Sequence, residues 1–243
     1  TSTWAAAFGV LGRFASKDPA ATIKLVLEDA QTQVKEETGA PWFSVLGQPG
    51  GSSEGHPAVP ETDREKIFWV AAFRSREIYH TEHTNRPSNK TFVSELMATC
   101  ATGNPMSDMN GTYRGIMYYL EKPAAKASGT IWAALRSWNT KDSDAASKLL
   151  QFLRADALQH MEAHEGLVQS ILFPTVMMGG DVPQGVPKDD RIVSLVQLFT
   201  SAAAMEAWKA SSLQDAGAWK ELVEDPSKDF MLFEFANFQH FAK

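Results

Sequence analysis

The chain has 243 residues, of which 44% are hydrophobic, 21% charged and 10% aromatic, and this balance excludes a disordered tail, a collagen-like fibre and a disulfide-stapled miniprotein. Its 23 Lys and Arg against 29 Asp and Glu give a net charge of −6, which argues against partners recognised through nucleic-acid phosphates or anionic lipid. Cys100 is the single cysteine, so no intramolecular disulfide can form and a reducing, cytoplasmic setting is expected. No apolar run reaches the ~20 residues of a membrane span, and no basic segment leads into an apolar one near the start. A start at Thr1 instead of Met leaves a processed leader open.

In chain order, the apolar run from Thr3 to Val10 reads as a strand. Ser16-Lys17-Asp18-Pro19 then supplies helix-capping residues, and Ile23, Val26, Leu27, Ala30 and Val34 recur at the three- and four-residue steps of one helical stripe. Gly39 is expected to end that helix as a left-handed cap before a second strand at Pro41 to Leu46. A Gly- and Pro-rich connection leads to a third strand, Lys66 to Ser75. Helical residues follow at Tyr79 to His83 and Thr91 to Ala98, and a fourth strand spans Thr112 to Glu121.

The same series then returns. It comprises a strand at Thr130 to Leu135, capping residues Thr140 to Ser143, and a stripe of Ala146, Leu149, Leu150, Leu153, Ala157 and Met161. Next come a glycine at Gly166, strands at Leu167 to Leu172 and Arg191 to Ser201, helical residues at Met205 to Trp208 and Gly217 to Val223, and a last strand at Asp229 to Phe235. Gly39 to Gly166 spans 127 positions and Phe73 to Phe199 spans 126, so the chain reads as an internal repeat, with units at 1–124 and 125–243.

Strand, helix, strand, strand, helix, strand is the ferredoxin-like arrangement, an antiparallel sheet with helices on one face. Two tandem ferredoxin-like units can cover their bare faces by closing a pseudo-dimeric α+β barrel, and a ligand cavity is expected between the sheets. The order of elements, the turns Glu36-Glu37-Thr38-Gly39 and Glu165-Gly166, and the segments Phe73-Arg74-Ser75 and Phe199-Thr200-Ser201 resemble the dimeric α+β barrel superfamily, most closely its antibiotic-biosynthesis-monooxygenase type.

That resemblance implies several activities. They include cofactor-independent oxygenases of secondary metabolism acting on phenolic or polyketide substrates, cyclases and isomerases, haem-degrading enzymes, haem-binding relatives of chlorite dismutase, and members without known activity. The haem-degrading pattern has an Asn on the first strand, a Trp ending the third and a His on the following helix. This chain has no Asn in either first strand, Phe73 or Phe199 at the strand end, and no His near Thr91-Phe92-Val93 or Ala218-Trp219-Lys220. The leading expectation is therefore an oxygenase needing no cofactor and taking an aromatic small molecule; a haem protein and a noncatalytic binding or stress protein are the alternatives. The oligomeric state, a homo-oligomer included, is left open.

His80 and His83, just after the third strand, are the candidate catalytic bases, because imidazole titrates near neutral pH and can accept a phenolic or carbon-bound proton. The alternative is a solvated loop with two ordinary histidines. Arg74 is the candidate group to orient an anion or stabilise an enolate. Trp4, Trp42, Trp69, Phe73 and Tyr118 are candidates for an aromatic wall, and Gln197 for a donor to a substrate carbonyl, although core packing also accounts for aromatic strand residues. His160 and His164 have the spacing by which a helix can hold zinc, but no third ligand is evident and no metal is expected. His56 and His240 are assigned no role.

Overall fold

The structure, a computed structural model, describes residues 4–36, 39, 42–49, 65–104, 108–109, 112–121, 130–155, 163–174, 191–210, 217 and 219–242. The boundary expected at 124/125, residues 157 and 161 of the second stripe, His56, His160 and the side chain of His240 lie outside them. The first half comprises β1 (Ala5–Ala15), α1 (Pro19–Glu36), β2 (Trp42–Gly47), β3 (Lys66–Phe73), a short α2 (Arg76–Ile78) running into a π-helical turn (Tyr79–His83), α3 (Pro87–Ala98) and β4 (Tyr113–Glu121). The second half repeats the order with β5 (Thr130–Asn139), α4 (Ser143–Ala155), β6 (Leu167–Pro174), β7 (Ile192–Phe199), α5 (Ala202–Lys209), a 3-10 turn (Lys220–Leu222) and β8 (Phe230–Ala242). Among the described residues no helix is long and apolar enough to cross a membrane.

The fold is α+β, and its two ferredoxin-like units share one sheet. All pairings are antiparallel, and the strands close a barrel in the order β1-β3-β2-β8-β5-β7-β6-β4. Two seams join the halves: β2 pairs with β8 through Trp42 opposite Ala242, and β4 with β6 through Tyr118 opposite Leu172.

Strand alternation divides the side chains between two surfaces. Leu11, Trp42, Phe68, Val70, Met117, Phe173, Val196, Phe233 and Phe235 fill the barrel interior, where Phe68 lies 5.3 Å from Phe233 and 5.4 Å from Phe235. An eight-stranded barrel is just wide enough for its side chains to fill it. This corrects the expectation of a ligand cavity between the sheets, since large aromatic residues from both halves meet there. The outer surface carries Phe8, Val10, Phe14, Ile67, Trp69 and Phe73 beneath α1 and α3, and Trp138, Leu195 and Phe199 with Leu149, Leu153 and Trp208 in the second half.

Three local expectations also change. Strand β1 runs on to Ala15, through Gly9 and Gly12, because both glycines sit where a neighbouring side chain crosses the strand. A Cβ at Gly9 would stand 2.3 Å from the Met117 sulfur, and one at Gly12 2.0 Å from Trp69 Cε2. Gly166 has the expected left-handed backbone, φ 82°, but Gly39 is not among the positive-φ glycines; a Cβ there would lie 2.0 Å from Ile78 Cγ2, so close approach requires the glycine. The helix expected at Gly217 to Val223 is reduced to the single 3-10 turn, with Gly217 itself at φ 64°.

Candidate functional site

Between the outer face of the first half's sheet and its helices lies a cavity of about 350 Å³. Val10, Trp69, Ala71, Phe73 and Arg114 form its sheet wall; Val26, Asp29 and Gln33 come from α1, Tyr79 and His83 from the π-helical turn, and Phe92, Leu96 and Met97 from α3. Ligand pockets begin at roughly 300 Å³, so this one suits a small molecule of two or three rings.

The π-helical turn is what delivers the imidazole. Ser75 caps α2 by accepting a hydrogen bond from Ile78 N at 3.1 Å, and the widened turn closes with Thr84 N donating to Tyr79 O at 3.1 Å. Such turns are a recurrent device at functional sites. Tyr79 is buried, and His83 stacks on its ring at 5.2 Å while also lying 5.1 Å from Phe73. His83 thus lines the cavity, whereas His80 is exposed, its ring edge-on to Tyr79 at 5.2 Å, and does not line it.

A buried charge pair holds this turn against α1. Asp29 Oδ1 accepts from Arg86 Nη2 at 2.5 Å, with both side chains almost fully covered, and Asp29 Oδ2 accepts from Gln33 Nε2 at 2.5 Å. Burial raises the Asp29 carboxyl above its ordinary range, while Arg86, Gln33 and His83 act in the opposite direction. Gln33 is itself buried, and its Oε1 has no hydrogen-bond partner among the described residues.

The remaining candidates fall elsewhere. Trp69 and Phe73 line the cavity. Trp42 lies in the barrel interior, edge-on to Tyr119 at 6.0 Å, because its partner in the ladder is Ala72 on the inner face. Trp4 and Tyr118 face α4 of the other half: Trp4 Nε1 donates to Arg154 O at 3.0 Å, and the Arg154 guanidinium sits 3.9 Å above the Tyr118 ring. Arg74 is exposed at a separate depression bordered by Ala6, Phe8 and Arg76. Gln197 is buried on the outer face of β7, its amide without a hydrogen-bond partner among the described residues. His164, far from the cavity, has its Nε2 2.9 Å from the Ala204 carbonyl oxygen. Among the described residues no three His, Cys, Asp or Glu side chains are grouped to hold a metal ion.

The two halves differ at matched positions of the ladder. Val10 sits between Ala71 and Arg114, and its counterpart Ala134 sits between Gln197 and Glu234. Gly12 opposes Trp69, and its counterpart Arg136 opposes Leu195. His83 and Lys209 stand equally far along from the capping residues Ser75 and Ser201. In the second half Lys209 Nζ donates to Glu234 Oε1 at 2.5 Å, and Arg136 is fully enclosed, its pKa lowered by burial to about 10 against the opposing pull of Glu234. Two positions that open onto the first-half cavity, Arg114 and His83, thus have as counterparts the mutually bonded Glu234 and Lys209, and near them the fully buried Trp208 lies beside the buried Arg136 at 5.9 Å.

Sequence reasoning missed Asp29, Gln33, Arg86 and Arg114. Asp29 and Gln33 carry a legible signal, since they stand three residues after Val26 and Ala30 on the same helical stripe. Arg114 could have been found by strand alternation, which sets it opposite to the inward Tyr113 and Met117. Arg86 precedes Pro87 and has no such mark.

No protein-family model matches the chain, and no curated protein sequence does. Solved structures do match. Two carry the provisional name monooxygenase: one from Lactobacillus acidophilus, with 10% identity over 95% of this chain and 93% of that one and a TM-score of 0.62, and one from Fusobacterium nucleatum, with 11% identity over 98% and 95% and a TM-score of 0.67. An anthrone oxidase-like protein matches at 13% identity over 97% of this chain and 93% of that one, with a TM-score of 0.51. At these identities the likeness is one of fold, and what it establishes is that the chain has the α+β barrel architecture of these monooxygenase-named proteins.

Proposed function

We propose that the first-half cavity is the active site of an oxygenase of the antibiotic-biosynthesis-monooxygenase type, one that needs no cofactor and oxidises an aromatic or polyketide-like small molecule. The observation that carries this reading is a single imidazole among the described lining residues, His83, opening onto a partly open, largely apolar cavity whose wall includes Trp69, Phe73 and Phe92. A planar substrate lies against those rings, and His83 takes a proton from an activated CH2 or phenol. The apolar lining excludes water, so the anion is not simply reprotonated.

The resulting electron-rich anion reduces dioxygen directly. A new C–O bond gives a hydroperoxide once the proton returns from His83, and loss of water leaves a carbonyl, so that CH2 and O2 become C=O and H2O. The chain's residues bind, shield and move one proton; the substrate supplies the electrons.

The test is oxygen uptake by purified, metal-free protein with anthrone and hydroquinone substrates. Uptake should vanish in His83→Ala and persist in His80→Ala. Full activity in His83→Ala would overturn the assignment of the base. Product formation without oxygen consumption would point to a cyclase or isomerase, and a Soret band in the purified protein to haem chemistry.

A further inference from the structure

Arg114 is the feature of this cavity that base chemistry leaves unused. It projects from the outer face of β4 into the cavity wall, its Nε is buried, and that nitrogen has no hydrogen-bond partner among the described residues. Asp29 is the acidic residue of the same lining, and it is already held by Arg86 on one oxygen and Gln33 on the other. Arg86 and His83 act electrostatically on Asp29. At the matched position of the second half stands Glu234, whose charge is met within the chain by Lys209. The first half thus keeps on its cavity wall a cation that the described residues do not pair, and the same lining holds a buried acceptor, Gln33 Oε1, that also lacks a partner among them.

Arg114 is half-buried with its Nε shielded and unpaired, so an anion on the cavity side would satisfy it, and the planar fork of a guanidinium matches a carboxylate with two parallel hydrogen bonds. We propose that the ligand of this cavity is an aromatic carboxylic acid, its carboxylate seated on Arg114 and its ring system lying between Trp69 and Phe92. This rests on the reading of the first-half cavity as the binding site and specifies the class of molecule it takes.

Isothermal calorimetry with 2-naphthoate and its neutral isostere 2-naphthamide tests it, using the full chain and the variants Arg114→Gln, Arg114→Lys and Ala71→Phe. The wild type should bind naphthoate at least tenfold more tightly than naphthamide. Arg114→Gln should erase that preference by weakening naphthoate alone, and Arg114→Lys, which keeps the charge and loses the fork, should retain part of it. Ala71→Phe, which fills the cavity wall, should abolish binding of both. Equal binding of the two compounds by the wild type, or an unchanged preference in Arg114→Gln and Arg114→Lys, overturns the proposal while leaving the cavity reading intact if Ala71→Phe still blocks both. Binding that ignores Ala71→Phe, or no binding of either compound, overturns the cavity reading and the proposal together. Should Arg114→Gln fail to fold by circular dichroism, the Arg114→Lys and naphthamide comparisons decide the matter.

Discussion

Replacing Arg86 by Met separates a structural role for the buried charge pair from a decorative one. The exposed fractions of the Arg86 and Asp29 side chains are only 7% and 6%, so removing the guanidinium leaves the Asp29 carboxylate buried with one neutral donor, Gln33 Nε2. Breaking a buried pair from one side typically costs about 3–5 kcal/mol, because the remaining charge keeps its desolvation penalty. Met retains much of the apolar stem and loses the guanidinium, whose Cζ lies 6.0 Å from the Phe92 ring, so most of that cost is electrostatic. At about 2–4 °C per kcal/mol for a chain of this size, the melting temperature should fall by roughly 6–20 °C. The double variant Asp29→Leu/Arg86→Met should recover most of the loss, since Leu153 occupies the position equally far from the capping aspartate in the second half. Urea titration reads both, with the slope m unchanged. Lys24→Met, which removes an exposed pair with Glu28, is the control and should leave the midpoint in place. An Arg86→Met midpoint as unmoved as the control's, or a double variant weaker than the single, would refute the reasoning.

Other consequences are accessible to the same measurements. Gly12→Ala puts a methyl group 2.0 Å from Trp69 Cε2; it should cost about 1–3 kcal/mol by overpacking and weaken aromatic ligands of the cavity, and unchanged calorimetric binding would contradict the placement of Trp69. Gly166→Ala combines φ 82° with a Cβ 2.6 Å from Ala204 Cβ; a loss of about 1–3 kcal/mol is expected in urea, with ligand binding in the first half untouched. Because burial holds the Asp29 carboxyl above 3.8, its contribution to stability is fully present below that pH and is lost as the pH rises through its folded-state value. The stability of the wild type relative to Asp29→Asn should therefore decline as the pH rises from about 3.8, and a difference that grows instead would reverse the sign assigned to burial.

The element order, the doubled unit and the helix-covered sheet are written in hydrophobic spacing, which is why they can be read from the chain. Strand alternation correctly groups Ile67, Trp69, Ala71 and Phe73, but it cannot say which face closes the barrel, and that choice decides where a cavity can lie. The register of β2 against β3 puts Trp42 on the inner side and Trp69 on the outer, so two tryptophans that look alike in sequence serve different surfaces. Asp29 and Arg86 are 57 residues apart, and nothing local to either announces the other. The contrast between Arg114 and Glu234 becomes visible only when the two ladders are laid on one another, because the repeat offset drifts along the chain.

The circular strand order has a consequence for how this molecule meets others. Every strand has a hydrogen-bonded neighbour on each side over at least part of its length, supplied by the same polypeptide, so among the described residues no strand is a free sheet edge from end to end. Ring closure thereby disfavours strand addition and edge-to-edge fibre growth along the paired stretches. Along those stretches a partner meets side chains of the covering helices before it meets backbone.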